Sequence, residues 1–227
     1  MLRALPVLPV VLLAGCGVAG AEFHPGIAAD VGDQTITTRH LDEVAANYCS
    51  GFEKLNKEDP QSNEQPIPLR YVTHQFVSLL VDNAGAEQLA EQYDVEQSSS
   101  SKASLASLEP QLKSLSDDQL DAFREILGAR AYNQDVLTQI GKISLDDQGN
   151  ENASEDDQYA EGQKLLDTWL TDHDVEVNPK YAVDVGTTGQ VDTDLSVAVG
   201  SKAKDGLKAE PDAGYTGSLP GNLVCLD

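Results

Sequence analysis

Residues 27–55 read IAADVGDQTITTRHLDEVAANYCSGFEKL, and the hydrophobic pattern changes period at Thr37. Before that point, apolar Val31 and Ile36 flank a Gly32-Asp33 turn, the pattern of a short hairpin-like segment. After it, Leu41, Val44, Ala45, Tyr48, Phe52 and Leu55 recur at intervals of three and four, which places them on one buried helical stripe. Thr37 or Thr38 supplies the hydroxyl oxygen that caps this helix. A short extended pair running into an amphipathic helix therefore opens the folded part of the chain.

Downstream the helical period repeats. Residues 56–66 (NKEDPQSNEQP) are polar, contain two prolines and read as a loop. From Pro68, placed for a first helical turn, a long helix is predicted to about Tyr93, with Leu69, Val72, Phe76, Leu79, Leu80, Leu89 and Tyr93 on its core face. Ser98 to Ser101 form a soft cap into Leu105, Leu108, Leu112 and Leu115, where Pro110 implies a kink or break. Ser116-Asp117-Asp118-Gln119 is a capping box opening a helix that carries Leu120, Phe123, Ile126, Leu127, Val136, Leu137 and Ile140. An acidic loop over 146–158 follows, then a helix capped by Ser154 with Tyr159, Leu165, Leu166, Trp169 and Leu170. Val175 and Val177 alternate with Glu176, a short strand. Residues 186–218 are rich in Gly, Thr, Asp and Ser, with one candidate strand at residues 195–199. The expected class is mainly α: a helical domain with a small pair of short β-strands and an extended C-terminal tail.

The 227-residue chain carries 15 Lys and Arg against 38 Asp and Glu, a formal net charge of −23. Nucleic-acid binding depends on Lys and Arg neutralising phosphates, so no nucleic-acid partner is expected. An anionic membrane surface would repel the same charge, and membrane association then needs an inserted or covalent anchor. With 40% hydrophobic and 23% charged residues the chain has a globular composition, and its 5% aromatics leave the core to Leu, Val, Ala and Ile.

Residues 1–20, MLRALPVLPVVLLAGCGVAG, place Arg3 before an apolar run too short to span a bilayer. The run ends in Leu13-Ala14-Gly15-Cys16, which resembles the lipobox of bacterial lipoproteins, where the Cys thiol is acylated and then becomes the new N-terminus. That resemblance implies a signal peptide over 1–15, lipidation at Cys16 and a tether over 16–26, ahead of the helical domain expected over 27–183 and the tail over 184–227. It also implies a lipid anchor on the extracytoplasmic face of the cell membrane. Removing Cys16 leaves Cys49 and Cys225, an even pair in an oxidising compartment, and a disulfide is expected between them. In the chain-entropy model it would stabilise by about 4 to 5 kcal/mol. His24, His40, His74 and His173 fall in no zinc-ligand spacing, so no metal or other cofactor is expected.

The segment Ala28-Ala29-Asp30-Val31-Gly32-Asp33-Gln34-Thr35-Ile36-Thr37 and the later Val175-Glu176-Val177-Asn178-Pro179-Lys180-Tyr181 carry a family resemblance. Together with the helices between them they resemble the N-terminal domain of SurA-type extracytoplasmic chaperones, especially short actinobacterial lipoproteins of that kind. The resemblance covers about residues 27–183 and implies that the two extended segments pair, holding the first and last helices of a helical body. It implies a chaperone-like role: binding unfolded or exported polypeptides. The parvulin isomerase domain that often follows needs catalytic histidines, and no His follows His173, so no isomerase or other enzymatic activity is expected.

Other catalytic patterns are coincidental in this reading. Ser99-Ser100-Ser101-Lys102 and Ser201-Lys202-Ala203-Lys204 both satisfy S-x-x-K, the nucleophile motif of penicillin-binding enzymes, but no SDN or KTG partner follows. The acidic run 146–157 places Gly149 wrongly for an EF-hand. No catalytic residue is assigned. A second function remains beside the chaperone-like one: a non-catalytic envelope structural or adaptor lipoprotein that docks one specific envelope protein.

Overall fold

The Gly32-Asp33 turn is held by a side chain from a distant helix. The computed structural model describes residues 26–59, 65–173, 175–183, 185, 201–206, 208 and 212–226. Strands β1 (Ile27–Val31) and β2 (Gln34–Thr37) pair antiparallel, with Val31 opposite Gln34. Gly32 between them has φ +59°, and an added Cβ would lie 2.1 Å from Gln88 Oε1. Glycine takes this left-handed backbone without strain, and any side chain here would have to displace the Gln88 amide that holds the turn. Gln88 Nε2 donates to the Val31 carbonyl at 2.9 Å, and its Oε1 accepts from the Asp33 N–H at 3.4 Å.

Helix α1 (Thr38–Glu58) starts where Thr37 Oγ1 accepts from the His40 N–H at 3.2 Å. It buries Leu41, Val44, Ala45 and Cys49. Pro68, expected in the first turn of the next helix, instead forms strand β3 (Ile67–Pro68) and precedes α2 (Leu69–Tyr93). Its extended backbone is used for strand pairing before the helix begins. Helix α2 buries Val72, Phe76, Val77, Leu80, Val81, Ala84 and Leu89 and is the central element of the core.

Helix α3 (Ser99–Ala106) ends before Pro110, which sits in a separate 3-10 turn, Glu109–Leu112. Helix α4 (Asp117–Asp147) opens with both bonds of the capping box: Gln119 N–H to Ser116 Oγ, and Ser116 N–H to Gln119 Oε1 at 3.0 Å. The acidic stretch read as a loop over 146–158 is shorter in the structure. Helix α4 continues to Asp147, where Lys142 pairs with Asp146, and α5 (Glu155–Asp172) takes Glu155, Asp156 and Asp157 into its first turn. Carboxylates there favour the positive end of the helix dipole.

Helices α4 and α5 approach backbone to backbone at two glycines. A Cβ on Gly141 would lie 1.8 Å from the Gln158 carbonyl oxygen, and one on Gly162 would lie 1.9 Å from the Leu137 carbonyl oxygen. Across the other side of the body, Tyr48 stacks on Phe123 at 4.3 Å and meets Phe76 edge-on at 4.9 Å.

Strand β4 (Glu176–Val177) pairs antiparallel with β1, Ala29 opposite Val177, giving the order β2-β1-β4. The two extended segments at either end of the helical body are thus hydrogen-bonded to each other. The protein is mainly helical with a small antiparallel sheet.

The described part of the tail is not simply extended, which corrects the sequence reading. It contains α6 (Ser201–Gly206), α7 (Ala213–Thr216) and strand β5 (Val224–Cys225). A polar cap starts α7, where Asp212 Oδ1 accepts from the Tyr215 N–H at 2.8 Å, and Lys208 bridges Asp205 and Asp212 between the two helices. Strand β5 pairs with β3, Ile67 opposite Cys225. The candidate strand at residues 195–199 lies outside the described residues.

Candidate functional site

Cys16 lies outside the described residues. Cys49 of α1 and Cys225 of β5 are joined as a disulfide with Cα atoms 5.1 Å apart, a separation typical of the bond. Ser99 and Lys102 of the first S-x-x-K pattern are exposed, and so are Ser201 and Lys204 of the second. The serines around α3 have structural partners: Ser98 caps the helix and holds Asp135 of α4, while Ser101 Oγ donates to the Ala131 carbonyl. Trp169 is buried in the core, with its ring stacked on His173 at 4.1 Å. Among the described residues no helix is long and apolar enough to cross a membrane, and no cluster of three or more His, Cys, Asp or Glu side chains is placed to hold a metal.

Two concavities meet along α4. The first is a groove of about 770 Å³ between α3 and α4, floored by Leu105, Leu108, Leu127 and Ala131 and rimmed by serine hydroxyls. It exists because α3 docks lightly: none of its eight residues is buried. A smaller hollow of about 280 Å³ under the same leucines continues to Leu112, beside the ion pair of Arg124 with Glu109 at 2.8 Å. The pair holds Glu109 below the usual carboxylate range, chiefly through the hydrogen bond from Arg124.

The second concavity is a cleft of about 330 Å³ between α2, α4 and α5. Its chemistry comes from Asp82, Arg130, Asn133, Tyr159 and Gln163. Arg130 and Gln134 line both the groove and the cleft, so the two are adjoining. Burial first, and the nearby Asp167 second, together push the Asp82 carboxyl up to about 7. Near neutrality this carboxyl therefore carries a proton for a substantial part of the time. Burial also raises the Tyr159 hydroxyl; Asp82 adds to the rise and Arg130 opposes it, which places both charges within electrostatic reach of that oxygen.

Sequence patterning missed this cleft. The one available signal was Asp82 directly after the apolar run Leu79 to Val81 in a helix buried on most sides. A titratable group shifted by desolvation and a specific neighbour, set in a concavity with convergent polar groups, marks a candidate binding site. No family model, curated protein or solved structure matches this chain.

Proposed function

We propose that this chain is a lipid-anchored extracytoplasmic protein with a helical body of SurA-like type that binds extended segments of exported polypeptides in a chaperone-like way, without catalysis. The observation that carries the reading is the α3–α4 groove: half-buried Leu105, Leu108 and Leu127 form an apolar floor beneath a hydroxyl rim. Such a surface gains from burying apolar side chains while its rim hydrogen-bonds a peptide backbone. The pairing of β1 with β4 around a helical body supports the SurA-like part of the reading. The anchor rests on Leu13-Ala14-Gly15-Cys16.

A second reading, an adaptor docking one envelope protein, is favoured by the small amount of exposed apolar surface. Among the described residues only Ile143 and Leu223 are large exposed hydrophobics, at 38% and 46%, and neither lies in the groove. Promiscuous binders usually expose more, and often use adaptable Met, of which this chain has only Met1. Suppression of aggregation of a chemically unfolded protein separates the two. Polypeptide binding predicts suppression by the full chain that falls at least about tenfold in potency with Leu127→Asp, since a buried charge opposes apolar docking. No suppression at stoichiometric excess, with one stable partner in a pull-down, selects the adaptor.

A further inference from the structure

The α2–α4–α5 cleft presents hydrogen-bond donors to which no acceptor is supplied among the described residues. The Tyr159 oxygen accepts from Gln163 Nε2 at 3.0 Å, which leaves its own O–H to donate. Asn133 Oδ1 accepts from Asn83 Nδ2 at 3.1 Å, which leaves the Asn133 amide N–H groups to donate. Arg130 is exposed at the shared edge and, among the described residues, enters no ion pair. Its charge is therefore available to a ligand, in a chain with 38 carboxylates and 15 cationic side chains.

We propose that this cleft is a carboxylate-binding site, in which the Arg130 guanidinium pairs with the ligand charge and the Tyr159 hydroxyl and Asn133 amide donate to its oxygens. A monoanion with two acceptor oxygens matches one planar guanidinium and neighbouring neutral donors. A cationic ligand would meet Arg130, and a dianion would face Asp82 and Asp167 with only one compensating cation. The carboxylate has two possible sources: the C-terminus of a polypeptide lying in the adjoining groove, or a small carboxylic acid. The first source rests on the polypeptide-binding reading; the second does not.

The site is also acid-favoured. Asp82 on α2 is faced by Asp167 and Tyr159 from α5 and by Arg130 from α4. Protonated, it adds a donor; ionised, it repels the ligand. Carboxylate affinity is therefore expected to fall as pH rises through about 7, and Asp82→Asn, which keeps a donor and cannot ionise, is expected to flatten that profile.

The test uses the full chain and a fluorescent apolar heptapeptide ending either in a free carboxylate or in an amide, with N-acetylalanine as the small acid. At pH 6 the acid peptide is expected to bind about tenfold tighter than the amide, the size of one charge-assisted contact. Arg130→Gln, a substitution of an exposed side chain whose folding is checked by thermal melting, is expected to abolish the preference. Equal binding of acid and amide, or a preference that survives Arg130→Gln, overturns the site. If neither peptide binds but N-acetylalanine shifts the Tyr159 ring resonances in an Arg130-dependent way, the carboxylate site stands and the polypeptide reading falls. If N-acetylalanine and both peptides leave those resonances unmoved, the site is overturned outright.

Discussion

Asp82 concentrates the cost of the cleft in one side chain. Its carboxyl is pushed up to about 7 from 3.8 by burial and by Asp167. Between those values the folded state holds a proton that the unfolded chain has released, so this group destabilises the fold progressively as pH rises from about 4 to about 7, and then no further. The full difference is at most on the order of 4 kcal/mol, and less to the extent that water reaches the group. Asp82→Asn is therefore expected to raise the melting temperature, with a gain that grows between pH 4 and 7 and levels off above. A gain independent of pH, measured by thermal unfolding across that range, would show that Asp82 is not ionising against its surroundings. The capping roles of Thr37, Ser116 and Ser154 were legible in the sequence because each bond is made within three residues. The role of Asp82 was not, because Asp167, Tyr159 and Arg130 come from other helices.

Among elements, the α4–α5 hairpin shows how a single helix can make opposite demands on the same residue type. Gly128 and Gly141 both lie in α4, and helix propensity alone favours alanine at each by about 1 kcal/mol. At Gly128 a Cβ would meet nothing within 4 Å, whereas at Gly141 it would meet the Gln158 backbone at 1.8 Å. Gly128→Ala is expected to stabilise by up to about 1 kcal/mol. Gly141→Ala is expected to destabilise by about 1 to 3 kcal/mol, because backbone cannot yield as a side-chain tip can. Chemical denaturation of the two variants measures both, and equal signs would contradict the close approach. The helices themselves were readable from apolar spacing and caps, and the break at Pro110 from the missing donor. How α3 sits on α4 was not readable, since its leucines satisfy the same periodicity whether fully buried or left lining a groove.

For the whole molecule, the ends of the described chain are tied back onto the helical body at two places. Strand β4 joins β1, while β5 joins β3 and carries Cys225 to Cys49 on α1. A cross-link spanning 176 positions restricts the unfolded chain strongly. Replacing Cys49 by Ser is expected to lower stability by about 2 to 5 kcal/mol. Wild-type protein melted with and without reductant should show a shift of the same size, and the variant should show none. A wild-type melting temperature indifferent to reductant would remove the cross-link from the account of stability.

Residue types and spacing determined by themselves that the chain is mainly helical, where the capped helices α1, α4 and α5 begin, and that short extended segments flank the body. Those features depend on hydrogen bonds and apolar repeats within one or two turns. The sequence also carried the acidic balance and the two cysteines available for pairing. Only the tertiary structure decided that the tail turns into short helices and returns as β5, that α3 leaves a groove over α4, and that Asp82, Arg130 and Tyr159 share one cleft. Each of these depends on side chains far apart in the chain meeting at a distance and burial that periodicity does not encode.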